Sequence, residues 1–316
     1  MVQRTIGVSL PRDLPAAHVV EFCVRAEQLG FDELWIVEDL FYRGGIAQAA
    51  IALASTSRIH VGIGILPAAA RNVAFTALEV GTLAELYPGR VTVGIGHGVT
   101  EWIKQVGAWP KSPLGLMRET LSALRALLRG ETVDVDGEYV TLRDARLEFP
   151  PSIVPLVLAG VRGPKSLAIS GAHADGTALA EPVTPEYLAR VRSQIGATAD
   201  HRIVAYVNAV VAEDAATARA VARPYLAHMD SHDIAVHIDP LPFAGELRAL
   251  GASSASPEAF AEAMPDEWVD QLAVVGTAEG VRARIGVLQD AGAHSVVFIV
   301  TGDDQLAALQ SLATVL

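Results

Sequence analysis

The chain has 316 residues, 51% of them apolar, and its 24 Lys and Arg against 36 Asp and Glu leave a net charge of −12. So acidic a chain argues against nucleic acid and against an anionic membrane as partners, because both reward positive charge. A single cysteine, Cys23, rules out an internal disulfide or a thiolate metal cluster.

The first segment, Thr5 to Leu10, reads directly as a strand with no apolar signal region before it. No later apolar run is long enough to span a bilayer, so the sequence predicts a cytoplasmic protein. Pro15–Gly30 has apolar residues at i, i+3 and i+4, the spacing of a helix face, and ends on glycine. Cys23 falls on that face among Val19, Phe22, Ala26 and Leu29, where a core role is expected. Glu33–Val37 reads as the second strand, Gly45–Ser55 as a helix and Ile59–Ile65 as the third strand. Asn72–Leu86 follows as a helix closed by Pro88-Gly89, and Val91–Ile95 is the fourth strand. Pro113–Arg129 is helical, and Thr132–Leu142 reads as a small hairpin around Asp136-Gly137. Pro155–Ala159, Thr177–Ala180 and Arg202–Val211 supply the fifth to seventh strands, and the helix Ala278–Gly292 feeds the last, Ser295–Val300.

Eight strands with helices between them fit an α/β fold of the (β/α)8 TIM-barrel kind better than an open sheet. The GxGxxG turn that usually follows the first strand of a doubly wound sheet is missing. Two interruptions, at about 97–112 and 224–270, are expected at the C-terminal mouth, and residues 1–316 are expected to form one domain.

In such a barrel the residues just past each strand converge on one pocket. The richest of these segments is Leu156–Gly176, where an apolar strand meets Gly160-Val161-Arg162-Gly163-Pro164-Lys165 and then a helix. Pro164 suits the first helical position, and the free N–H groups of a helix start beside Arg162 and Lys165 form a ready anion site. Glycines at several strand ends are expected to let a flat ring lie against the backbone, which suits chemistry carried by a cofactor. Gly94-Ile95-Gly96-His97-Gly98 reads either as a tight strand-to-helix turn or as part of a nucleotide site, with His97 available as a donor or acid. Glu38-Asp39 can hydrogen-bond a heterocycle or cap the next helix. Gly62 and Gly64 suggest a bulge or close packing in the third strand. His228, His232 and His237 stand among Asp230, Asp233 and Asp239, but no HExxH-type signature accompanies them and no metal is expected.

In order and spacing, the motifs together resemble the luciferase-like flavin and deazaflavin oxidoreductase superfamily. The resemblance is nearest to its coenzyme F-420-dependent branch, typified by methylenetetrahydromethanopterin reductase. It rests on Leu29-Gly30-Phe31-Asp32-Glu33-Leu34-Trp35, on the block Val61–Gly98 with Ala84-Glu85-Leu86-Tyr87-Pro88-Gly89-Arg90, on Ala159–Lys165 with Ala174-Asp175-Gly176, and on Val275-Gly276-Thr277-Ala278-Glu279. It implies a barrel holding the ring at the strand ends and a non-prolyl cis peptide at Gly64-Ile65 backing the central ring. The loop Gly160, Val161, Arg162, Gly163, Pro164 and Lys165 would hold the cofactor phosphate and acidic tail. Gly96, His97 and Gly98 would meet the ring or its side chain, with Ser9, Asp39 and Glu181 also at the cofactor.

The chain departs from the family where Glu38-Asp39 replaces an aspartate-histidine pair. It departs again where Ser9 and Val99 occupy positions at which relatives carry acidic residues. His97, Glu38 and Asp39 are therefore the candidate catalytic residues, with Glu181 as a substitute. The implied reaction is hydride transfer between deazaflavin C5 and a small organic substrate, with Pro67, Trp102, Trp109 and the second insertion shaping an apolar wall. An FMN-dependent monooxygenase served by a separate flavin reductase is the alternative, and a non-catalytic flavin-binding barrel is a further one. The resemblance also implies a homodimer.

Overall fold

The computed structural model describes residues 4–196 and 200–316. In chain order the strands are β1 (Thr5–Ser9), β2 (Glu33–Ile36), β3 (His60–Pro67), β4 (Val91–Gly96), β5 (Val133–Asp136), β6 (Thr141–Ala145), β7 (Leu156–Gly160), β8 (Gly176–Leu179), β9 (Arg202–Val211), β10 (Val274–Gly276) and β11 (Ser295–Val300). Among the described residues eight of these close a parallel ring in the order β1-β2-β3-β4-β7-β8-β9-β11, with β11 returning to β1. This is the (β/α)8 barrel expected from the alternation of apolar strands and helices.

Local chemistry explains where the helices begin and end. Gly30 ends the helix Val19–Leu29 at φ +97°, a left-handed conformation that favours glycine. Asn72, Ser112 and Thr184 each accept a backbone N–H at the start of the helix that follows. Cys23 lies in the first of these helices with no exposed surface, and burial pushes its thiol up to about 12.

The inside of the barrel is filled by side chains. Trp35, Leu158, Ala178, Val204, Tyr206 and Val297 form its central cluster. A Cβ at Gly62 would collide with the Trp35 ring, so that glycine makes room for the indole. Beneath it the buried Glu33 accepts from Trp35 Nε1 at 2.7 Å, Thr5 Oγ1 at 2.8 Å and Ser295 Oγ at 2.6 Å, and pairs with Arg202 at 2.5 Å. Burial opposes that charge, but Arg202 and the three donors outweigh it and hold the carboxyl below its usual range. The lower ends of β1, β2, β9 and β11 are thereby tied together by a satisfied polar network.

Two details depart from the sequence-based expectation. The hairpin β5–β6 is antiparallel as expected, but its second arm runs on to Ala145. The short strand β10 was not expected, because three residues carry too little pattern to read. It forms because β9 is ten residues long and its last residues, Ala209–Val211, pair with β10 outside the ring.

The two interruptions both reach the mouth. The first contains the short helix Thr100–Gln105. The second folds into short helices, among them Ala244–Ser253, Pro257–Ala263 and Asp266–Leu272, around an apolar cluster that includes Leu226, Met229, Phe243, Phe260 and Val269. Among the described residues no helix is long and apolar enough to cross a membrane.

Candidate active site

At the C-terminal ends of the strands lies a cavity of about 1120 Å³. Eleven of the residues singled out from the sequence line it: Ser9, Glu38, Asp39, Gly64, Ile65, His97, Gly98, Gly160, Val161, Arg162 and Glu181. Gly96, Gly163, Pro164 and Lys165 stand outside the lining, Gly96 buried behind it and Lys165 exposed beside it. Pro67 and Trp102 form part of the wall, as do Tyr225 and His228 at the second interruption, but Trp109 does not.

The bulge in β3 organises the floor. The Gly64-Ile65 peptide is cis, and the register between β3 and β4 shifts between Ile63 and Leu66. A Cβ at Gly160 would collide with Ile65 Cγ2, and one at Gly94 or Gly96 would stand 2.9 Å from Ile65 side-chain carbons. The glycines of β4 and β7 thus accommodate the Ile65 side chain, whereas the sequence reading gave that space to a flat ring. Gly64 itself is constrained from beneath, because a Cβ there would collide with the Tyr206 hydroxyl.

The acidic residues divide by their partners. Glu38 accepts from Gly45 N and Arg71 Nη2, both at 2.6 Å, so it fastens the start of helix Gly45–Ser55 and is neutralised by an arginine. Asp39 pairs with Arg12 at 2.7 Å, and the Arg12 guanidinium also lies 4.8 Å from the Tyr42 ring centroid. Glu181 follows β8 and has no hydrogen bond or ion pair with another described residue. Burial pushes its carboxyl above the usual carboxylate range, with Arg162 and Arg12 opposing the shift and Asp39 adding to it.

The segment Gly160–Lys165 leads into a helix, with Gly163 as N-cap and Pro164 in the first turn of the helix Pro164–His173. Arg162 donates to Asp233 O at 3.0 Å, a contact with the second interruption. Among the described residues Arg162 has no carboxylate partner, whereas Arg12 and Arg71 have theirs and Arg43 donates to the carbonyls of Arg12 and Leu14. His97 Nε2 lies 3.0 Å from Ser166 Oγ, and burial keeps the imidazole below its ordinary pKa.

The three histidines of the second interruption do not converge. His228 reaches the cavity, while His237 is buried, its ring tilted against Tyr187 at 4.2 Å between centroids and hydrogen-bonded through Nδ1 to Pro182 O. Among the described residues no group of His, Cys, Asp and Glu could hold a metal ion.

Sequence reasoning missed Tyr206 and Asn208, which line the cavity from β9. Their signal was present, since they are polar residues two apart, and hence on one face, in an otherwise apolar strand. Phe41 and Tyr42 were also missed; they are exposed at the cavity rim, and Phe41 adopts φ +70°.

A family model described as luciferase-like monooxygenase matches residues 2–295. The 5,10-methylenetetrahydromethanopterin reductase of Methanolobus tindarius is 28% identical over 308 residues, covering 93% of each chain. Among solved structures, the coenzyme F420-dependent tetrahydromethanopterin reductase from Methanopyrus kandleri superposes with a TM-score of 0.83 at 20% identity, covering 98% of this chain and 97% of that one. The oxygenating constituent of 3,6-diketocamphane monooxygenase from Pseudomonas putida, in complex with FMN, superposes with a TM-score of 0.74 at 18% identity, covering 100% and 97%.

Proposed function

The chain belongs to the luciferase-like monooxygenase family, and on that premise we propose that it is a coenzyme F-420-dependent oxidoreductase acting on a small organic substrate. The observation that carries this reading is Arg162, a cavity-lining cation with no carboxylate partner among the described residues, set just before a helix start. Backbone N–H groups at that start, Arg162 and the exposed Lys165 outside would hold the phosphate and acidic tail.

The residues present fit such a group. The cavity is roomy and ends at one side on Arg162, and its floor carries a buried Tyr206 hydroxyl with no partner among the described residues. When bound, the deazaflavin supplies hydride chemistry at C5. Ile65, wedged among the glycines of β4 and β7, would support the ring from below, and Gly98 would let the turn after β4 pass close to it. Neutral His97, fixed to Ser166, would orient the ring edge without bringing charge. Glu38, committed to Arg71 and Gly45, is better read as a support for the wall than as an acid.

The rim favours an apolar substrate. Phe41, Tyr42, Val99 and Val106 are all exposed there, with Trp102 beside them. If Arg162 serves the cofactor, the remaining arginines of the lining are already occupied, which disfavours a phosphorylated substrate. For the homodimer, the exposed stripe Phe75, Leu78 and Leu86 on the helix Val73–Leu86 is the surface we favour.

Fluorescence titration of the purified protein with F-420 and with FMN tests the reading. Micromolar or tighter binding of F-420 alone, weakened by Arg162→Ala, is the expected result. Preference for FMN would move the assignment to a monooxygenase supplied by a flavin reductase, the chemistry of the Pseudomonas putida neighbour. Binding of neither would remove the cofactor reading.

A further inference from the structure

We propose that Glu181 is the acid that holds and delivers the reaction's proton, the one carboxyl of the described cavity lining with no partner on another residue. The other three are engaged: Glu38 by Arg71 and Gly45, Asp39 by Arg12, and Asp13 by Gln305 Nε2 at 2.8 Å. A carboxylate fixed by an arginine is a poor proton store, because the cation favours its ionised form. Glu181 has no such cation in contact and only its own backbone N–H reaches it.

Position supports the assignment. Glu181 follows the C-terminal end of β8 and faces the cavity into which Tyr206, Asn208 and Ile65 also project. The charged and titratable groups around it come from several elements. Arg12 follows β1, Asp39 follows β2, Arg162 follows β7 and Tyr206 lies on β9. The cations Arg12 and Arg162 pull its proton off, whereas Asp39 and desolvation keep it on, and the balance lies with retention. His237 donates to the carbonyl of the next residue, Pro182, and is itself kept neutral by burial, so it adds no opposing charge. The result is a carboxyl at the cavity wall that keeps its proton to higher pH than a free carboxyl does, the direction a general acid needs.

The step rests on the F-420 reading. In the reducing direction, were reduced F-420 to give a hydride to a substrate carbon double-bonded to oxygen or nitrogen, that π bond would break with its pair passing to the heteroatom, and the Glu181 O–H bond would break as a new O–H or N–H bond forms there. Two electrons pass from F-420 to the substrate, the electron pair of the broken O–H bond stays on Glu181, and water returns its proton. In the oxidative direction the same carboxylate accepts the proton.

Infrared difference spectroscopy on the full chain reads the protonation state directly and needs no substrate. In a pH titration the wild type should keep a carbonyl band of a protonated carboxylic acid at pH values where free carboxyls have already lost theirs. Glu181→Gln should lose it, whereas Glu38→Gln and Asp39→Asn should keep it. Glu181→Ala, which empties space rather than filling it, is the second variant should the glutamine version fail to fold. A wild type without the band, or a band that survives both Glu181 substitutions, would overturn the assignment. The F-420 titration of the wild type, run in parallel, separates the two readings. A missing band with F-420 still bound removes Glu181 alone, while a present band without F-420 binding leaves the acid and removes its reductant.

Discussion

His97 and Ser166 share a hydrogen bond of 3.0 Å at the mouth of the barrel, joining the turn after β4 to the first turn of the helix that follows its neighbour β7. The two segments are 69 residues apart in sequence. Together they make one wall of the cradle into which we place the cofactor's ring and tail. Removing the hydroxyl with Ser166→Ala leaves His97 without this partner. A typical hydrogen bond contributes about 0.5–1.5 kcal/mol net, so the F-420 dissociation constant should rise roughly 2- to 10-fold. An unchanged constant would mean that the cradle does not depend on this tie.

Tyr206 sets the side chain allowed at position 64. A Cβ at Gly64 would collide with the Tyr206 hydroxyl oxygen and stand 3.1 Å from Trp35 Cε3 and 3.2 Å from Tyr206 Cζ. Gly64→Ala should therefore destabilise the fold by about 1–3 kcal/mol, the usual cost of overpacking a filled core. Tyr206→Phe alone should be neutral or stabilising, since the hydroxyl it removes is buried and has no partner among the described residues. Combined with Gly64→Ala, the Tyr206→Phe substitution should recover part of the loss, and denaturant midpoints of the four proteins form the cycle. Strict additivity would show that the collision is relieved elsewhere.

The fold was legible because its strands are strongly apolar and are separated by helices with capped ends. Val61–Ile65 and Leu156–Ala159 announce themselves, whereas the three residues of β10 do not. At the site, the positions after each strand were legible as positions, and most do line the cavity. Their partners were not, because the pairing residues lie far away in sequence. Arg71 is 33 residues from Glu38, and Arg12 is 27 from Asp39. Without those arginines, Glu38 and Asp39 look as free as Glu181. The glycines misled in a similar way, since only the three-dimensional placement of Ile65 shows what fills the space above them.

Glu38 is expected to behave as a structural carboxylate. Glu38→Gln keeps an oxygen for the Gly45 N–H but loses the charge that Arg71 pairs with, on a side chain only 14% exposed. The loss should be about 1.5–3 kcal/mol, the range for hydrogen bonds to charged groups, and should appear as a lower urea midpoint at unchanged slope. A variant as stable as the wild type would return Glu38 to consideration as a proton donor.

His237 should make the protein sensitive to mild acid. Pro182 O can only accept, so Nδ1 carries the hydrogen, and Nε2 is left as a buried acceptor with no partner among the described residues. Burial pushes the folded-state pKa down to about 4 from 6.5. Between those values the unfolded chain takes up a proton at this side chain and the folded chain does not. The contribution of His237 is therefore complete above the unfolded value and is lost as pH falls through the folded one. The slope approaches about 1.4 kcal/mol per pH unit, for a total of roughly 3 kcal/mol. His237→Gln can still donate to Pro182 O but cannot titrate, so its stability should fall less steeply over the same window. The difference between the two urea-derived stability curves isolates this residue from the chain's many carboxylates. Parallel curves would mean that His237 is protonated in the folded protein, with water or a local opening reaching Nε2 where the packing against Tyr187 and Pro182 leaves it dry.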